Sequence, residues 1–189
     1  MFRRSRHRRR SSLLKNVWIE LRYRWYTSPK ATVAAMLTLG MVAVVLGVAV
    51  ITAVAATDDR RQLACLARNV YHEARGEPLA GQYAVAEVTM NRVGASTYPE
   101  TVCGVVHQKT WDPQRRRWVA AFSWTAMGPR TEPRGGEWHR ARTVSADVYY
   151  GRHTPQLDGA TFYHAHYVRP GWSRQRARVA QIGKHHFYQ

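Results

Sequence analysis

Residues 31–56 read ATVAAMLTLGMVAVVLGVAVITAVAA, 26 consecutive positions without a charged side chain. A bilayer core of about 30 Å needs roughly 20 apolar residues in a helix. A helix in a soluble core seldom stays apolar on every face for so long. The run therefore predicts a single membrane span over 31–56. Its rival is a cleaved signal peptide, whose apolar region is about 7–15 residues long. This run is longer, although Ala53, Ala55 and Ala56 resemble a cleavage site.

The formal net charge of +17 at first points to an anionic partner such as nucleic acid. Ten of the 29 Lys/Arg fall in residues 1–30 against one of the 12 Asp/Glu, which leaves 19 against 11, a net of +8, downstream. About half of the excess is thus a leader property, and no nucleic-acid partner is expected. Positive charge stays on the cytoplasmic side of a span. Behind the run comes Asp58-Asp59-Arg60-Arg61, which is neutral. This places residues 1–30 in the cytoplasm and residues 57–189 outside the inner membrane. Within the leader, Arg3 to Arg10 is a charge run expected to be disordered or to lie on anionic headgroups. Residues 13–26 read as a short interfacial helix with Trp18 and Trp25 at the membrane edge.

Both cysteines, Cys65 and Cys103, belong to the outward part. An even count in an oxidising compartment predicts a disulfide, with two buried free thiols as the alternative. The bridge would stabilise the fold by about 3–4 kcal/mol.

Apolar positions Leu66, Ala67, Val70, Tyr71 and Ala74 recur at helical spacing, so residues 61–77 read as a helix closed by Gly76 and Pro78. Residues 79–93 give a second helix, and a third starts at Pro99 with Thr97 near its cap. Residues 108–136, rich in Gly, Pro, Arg and Trp, read as a long loop. A fourth helix covers 137–151. Two aromatic, β-branched segments, 160–168 and 178–188, read as strands that pair. The outward part is therefore an α+β domain, mostly helical, with a small sheet near its C-terminus.

Three groups of residues can carry chemistry. Glu73 borders the apolar face of its helix, where desolvation would keep a carboxyl protonated as a general acid; the plainer reading is a surface charge paired with Arg68 or Arg75. His164 and His166 alternate on a strand, and His185 or His186 could join them to bind zinc. No recognised zinc spacing is present, and neither metal nor cofactor is expected. The third group is aromatic and polar: Trp111, Trp118, Phe122, Ser123, Trp124, Trp138, Tyr163, Tyr167 and Trp172. Rings beside a carboxylate suit a saccharide groove, while core burial is the better reading for Trp118 and Trp138.

The segments ARNVYHEARGEPLAGQYAVAEVTMNRV, YPETVCGVVHQ, FSWT, ATFYHAHYVRPGWSR and VAQIGKHHFY, in that order over residues 64–188, resemble cell-wall hydrolases of the spore cortex-lytic enzyme type. The resemblance implies a lysozyme-like or lytic-transglycosylase-like fold: a helical lobe, a small β lobe and a groove between them. It implies cleavage of peptidoglycan between N-acetylmuramic acid and N-acetylglucosamine, with Glu73, the first Glu of E-A-R-G-E, as the acid. The expected substrate contacts are Arg75, Glu77, Asn91, Ser123, Trp124, Tyr163, His164 and Trp172. For Glu77 a role in holding Arg75 or a loop backbone is favoured over one as a second carboxylate. The chain departs from the family pattern at Thr125-Ala126-Met127-Gly128 and at Gly171-Trp172. Expected partners are peptidoglycan and the inner membrane, with a regulatory protein as a further candidate. The rival classes are a non-catalytic peptidoglycan-binding scaffold and a zinc-dependent amidase or peptidase.

Overall fold

The computed structural model describes residues 5–113, 115–127 and 132–189, with side chains described from residue 15. The chain divides into two compact units, one up to Ala55 and one from Ala56 to Gln189.

In the first unit, α1 (Ser5–Thr27) is longer than the interfacial helix read from the sequence. It takes in Arg6 to Arg10, which the sequence reading left disordered or on headgroups; Arg3 and Arg4 lie outside the described residues. Helix α2 (Pro29–Ala74) is 46 residues long and is the one described helix long and apolar enough to cross a membrane. Residues 57–61, which read as a short juncture behind the apolar run, are instead part of α2. Neither Gly nor Pro interrupts them, and Gln62 Nε2 donates to Asp58 Oδ1 one turn earlier, at 3.3 Å.

The second unit is built on the C-terminal part of α2. Helix α2 stops at Ala74, short of the expected end, and the Glu77 amide caps it by donating to the Ala74 carbonyl at 2.9 Å. Pro78 then opens α3 (Leu79–Gly94). This helix is buried on nearly every side, because two cores meet on it. One joins Leu66, Val70 and Tyr71 of α2 and Ala86 of α3 to Val102 and Val106 of α4 (Val102–Val106), Phe122, and two residues of the fourth expected helix, Ala141 and Val144. The other joins Ala84 and Val88 to Leu157, Ala160 and Phe187. Helix α4 starts later than expected. Thr101, not Thr97, is its cap, accepting from the Gly104 amide at 3.1 Å. A disulfide joins Cys65 on α2 to Cys103 on α4, with Cα atoms 5.3 Å apart.

The presumed loop 108–136 contains regular structure. A hairpin of β1 (Lys109–Asp112) and β2 (Arg117–Ala120) leads into α5 (Ser123–Met127), and α6 follows at Gly135–Tyr149. Trp138 packs against the first core as expected, but Trp118 does not: it is 64% exposed on the hairpin. The C-terminal sheet has three antiparallel strands in the order β3 (Phe162–Ala165), β5 (His185–Tyr188), β4 (Arg178–Ile182). The single strand expected over 178–188 is folded back at Gly183, whose φ of +57° is open to glycine. A 3₁₀ turn, Gly171–Gln175, carries Trp172.

Candidate active site

Glu73 lies on the last turn of α2 and is half-buried. Burial pushes its carboxyl above the ordinary carboxylate range; the Tyr163 hydroxyl and the Arg92 charge oppose this with smaller effect. Tyr163 donates its hydroxyl to Glu73 Oε2 at 3.3 Å. Burial, and then the charge of Glu73, hold that phenol well above its usual pKa, so it remains a donor. Strand β3 fixes it there, with Tyr163 opposite Phe187 of β5.

Arg92 is a site residue that spacing did not single out. Its Nε donates to the Thr161 carbonyl at 2.7 Å, and its guanidinium lies over the rings of Tyr98 and Phe122, at 5.5 and 5.3 Å. The motif N-R-V carried the signal, but a cation near a helix end reads first as a surface charge.

On another side of the acid, Trp124 stacks on His72 with centroids 4.5 Å apart. Its indole N–H donates to Asn69 Oδ1, and Asn69 donates to Thr89 Oγ1, both at 3.1 Å, so the ring is fixed from beneath. Burial, then Arg75 and Arg68, lower the His72 pKa and favour a neutral imidazole. Ser123 opens α5 and is exposed. Arg75 is exposed over the Tyr71 ring, 5.3 Å from its centroid.

Other expected contacts are engaged elsewhere. Glu77 Oε2 accepts from the Lys184 amide at 2.8 Å, in the β4–β5 turn. Asn91 donates to the carbonyls of Ala160 and Leu157, at 3.0 and 3.4 Å, and so holds a loop. Glu87 is buried, with His153 at 2.7 Å and the amides of Gln156 and Leu157 at 2.9 Å. His164 leaves the face of β3 opposite to Tyr163. Both its ring nitrogens are used, by the Ala165 carbonyl and the Tyr188 hydroxyl at 2.9 Å each, and Trp172 packs beside it at 5.6 Å. The site thus gathers Glu73, Tyr163 and Trp124, with Arg75 and Ser123 exposed on α2 and α5, and leaves His164 and Trp172 on the far face of the sheet. Among the described residues, no group of three or more His, Cys, Asp or Glu is placed to hold a metal ion.

A cleft of about 560 Å³ is lined by Tyr98, Gln108, Thr110, Thr161, Phe162 and Arg176, among others. It shares Tyr98 and Thr161 with the cradle of Arg92. A larger cavity of about 800 Å³ lies between α2 and α6. Neither lining includes a carboxylate, and Phe162 puts the smaller cleft on the face of β3 opposite to Tyr163.

A mostly helical domain with small sheets and one desolvated acid defines a class of catalytic domain with solved examples. The fold is similar to the catalytic domain of Bacillus cereus SleB (TM-score 0.54, 30% identity, 69% of this chain and 91% of that one). It is equally similar to the catalytic domain of the germination-specific lytic transglycosylase SleB from Bacillus anthracis (TM-score 0.53, 30% identity, 68% and 93%). The cell wall hydrolase family matches residues 76–188, more than half of the chain, and the chain belongs to that family. Among its relatives are the spore cortex-lytic enzymes of Oceanobacillus iheyensis (33% identity over 130 residues, 68% of this chain and 42% of that protein) and Halalkalibacterium halodurans (34% over 123 residues, 65% and 33%). The chain spans less than half the length of these curated relatives. Glu73 precedes the family-matched segment, so its role rests on the geometry above.

Proposed function

We propose that residues 57–189 cleave the glycan strands of peptidoglycan between N-acetylmuramic acid and N-acetylglucosamine, with Glu73 as general acid. We also propose that the apolar segment of α2 anchors the protein in the inner membrane, N-terminus inside. The observation that carries the enzymatic reading is the Glu73 carboxyl, desolvated by burial and held by the Tyr163 hydroxyl.

Protonated Glu73 gives its proton to the glycosidic oxygen as the bond to the muramic C1 breaks. The muramic N-acetyl carbonyl supports the cationic centre. The Glu73 carboxylate then accepts the proton of the C6 hydroxyl as O6 bonds to C1, which closes a 1,6-anhydro ring and restores the acid without water. A hydrolase uses a second carboxylate about 5–10 Å away. Glu77, between α2 and α3, and Glu87 on α3 are the first two carboxylates after Glu73, and both are committed to backbone amides. This favours the lytic transglycosylase over the muramidase.

Digestion of purified peptidoglycan followed by mass spectrometry tests the reading. The expected products carry 1,6-anhydromuramic ends; reducing ends would assign hydrolysis instead. Glu73→Gln keeps the side-chain size and removes the proton donor, and should slow turnover by about 10²–10⁴-fold. Folded Glu73→Gln protein working at the parental rate would remove Glu73 from the mechanism.

A further inference from the structure

The β1–β2 hairpin carries aromatic surface that neither core receives. Trp111 and Trp118 are cross-strand partners, so both indoles leave the same face, edge to face with centroids 5.7 Å apart. They are 48% and 64% exposed. Lys109, two positions before Trp111, shares that face. Arg115 and Arg116 stand at the turn, and Arg117, across from Asp112 and next to Trp118, leaves the opposite face. Arg115 is held by Asp112 at 3.5 Å, whereas Arg116 is exposed. Arg116 occupies the left-handed region at φ 50°, which turns it outward with the bend.

The hairpin is rooted at the acid. Strand β2 runs into buried Phe122 and then α5, whose Trp124 stacks on His72, the neighbour of Glu73. His107, just before β1, brings its ring to 6.1 Å from the same Trp124. Thr110, on the opposite face of the ribbon from Trp111, lines the cleft. The hairpin is therefore a wall with the cleft on one face and a cationic indole pair on the other.

We propose that the Trp111–Trp118 face is a second binding site for the acidic glycan of the cell wall, with sugar C–H faces on the indoles and stem-peptide carboxylates on Lys109 and Arg116. It rests on the peptidoglycan reading above and adds a hold on a neighbouring stretch of glycan while Glu73 acts. Indoles with Lys and Arg also suit a lipid surface. The root of the hairpin favours the wall: β2 leads through Phe122 to Trp124, which stacks on His72, the neighbour of the proposed acid.

The test is co-sedimentation of the full chain, in detergent micelles, with purified insoluble peptidoglycan, using Glu73→Gln to stop turnover. Adding Trp111→Ala and Trp118→Ala should weaken binding by about tenfold, as expected for two exposed ring contacts. An unchanged melting temperature shows that the domain has kept its fold; Trp118→Ala alone, at the more exposed position, serves if the double substitution does not fold. Replacing Lys109 and Arg116 by Gln should flatten the decline of binding with added salt. Equal sedimentation of parent and indole variants overturns the proposal and leaves a lipid or protein partner as the occupant. That outcome is distinct from failure of the enzymatic reading, in which the parent chain with Glu73 intact would release no fragments from peptidoglycan.

Discussion

At Glu73 the same desolvation that serves catalysis works against the fold. Burial raises its pKa in the folded state, so the native protein keeps a proton that the unfolded chain has already lost. Stability should fall as pH rises from the ordinary carboxylate range through the folded pKa. Below that range both states are protonated and the penalty is absent. Glu73→Gln removes the charge, so this variant should melt above the parent at about pH 7, with the gap closing towards about pH 4. A parent that melts at or above the variant at neutral pH would sink the desolvation argument. Turnover should decline over the same rising limb, because the acid must be protonated to act. Spacing placed Glu73 at the margin of an apolar helix face, but its partners came from far along the chain. Tyr163 stands 90 residues away and the Arg92–Thr161 contact spans 69, and local periodicity carries no such information.

The elements that hold the acid are tied by a carboxylate the mechanism does not use. Glu77, just past the end of α2, accepts from the Lys184 amide and so locks the β4–β5 turn to the start of α3. Gly183 makes this possible twice over. Its φ of +57° suits glycine, and a Cβ there would collide with Glu77 Oε2. Gly183→Ala should therefore destabilise the domain by about 1–3 kcal/mol, the range for a residue forced into left-handed backbone. Urea unfolding would measure it, and a loss within about 0.5 kcal/mol, as at an ordinary surface position, would show that the turn is not a clamp. The part of α2 in the second unit was legible because it buries one continuous apolar stripe, Leu66, Val70 and Tyr71. The turn at Gly183 was not, since RVAQIGKHHFY is aromatic and β-branched on both sides of a single glycine. Nor was the β1–β2 hairpin. Most of its residues are exposed on both faces, so no buried-exposed alternation marks the strands, and Trp118 looked like core by residue type alone.

For the whole molecule, the ordering of charge, apolar run and cysteines along the chain predicts which compartment each part occupies. Ten cations precede the 26 uncharged residues, and the four residues Asp58 to Arg61 that follow shortly after are neutral, so the positive flank should remain in the cytoplasm. The Cys65–Cys103 disulfide joins two helices of the second unit, and a structural disulfide persists in an oxidising compartment, which is the outer side. Peptidoglycan lies on that side as well. Charge, thiol chemistry and the proposed substrate are three independent constraints, and all three predict the same orientation. A reporter that acquires activity only outside the cytoplasm should be active when fused after Gln189, and one that works only inside should be active when fused at Met1. Thiol labelling of protein taken from membranes should be slight before reduction and complete after it. The reverse reporter pattern would put the acid on the wrong side of the membrane from its substrate, and the proposed activity would fall with the topology.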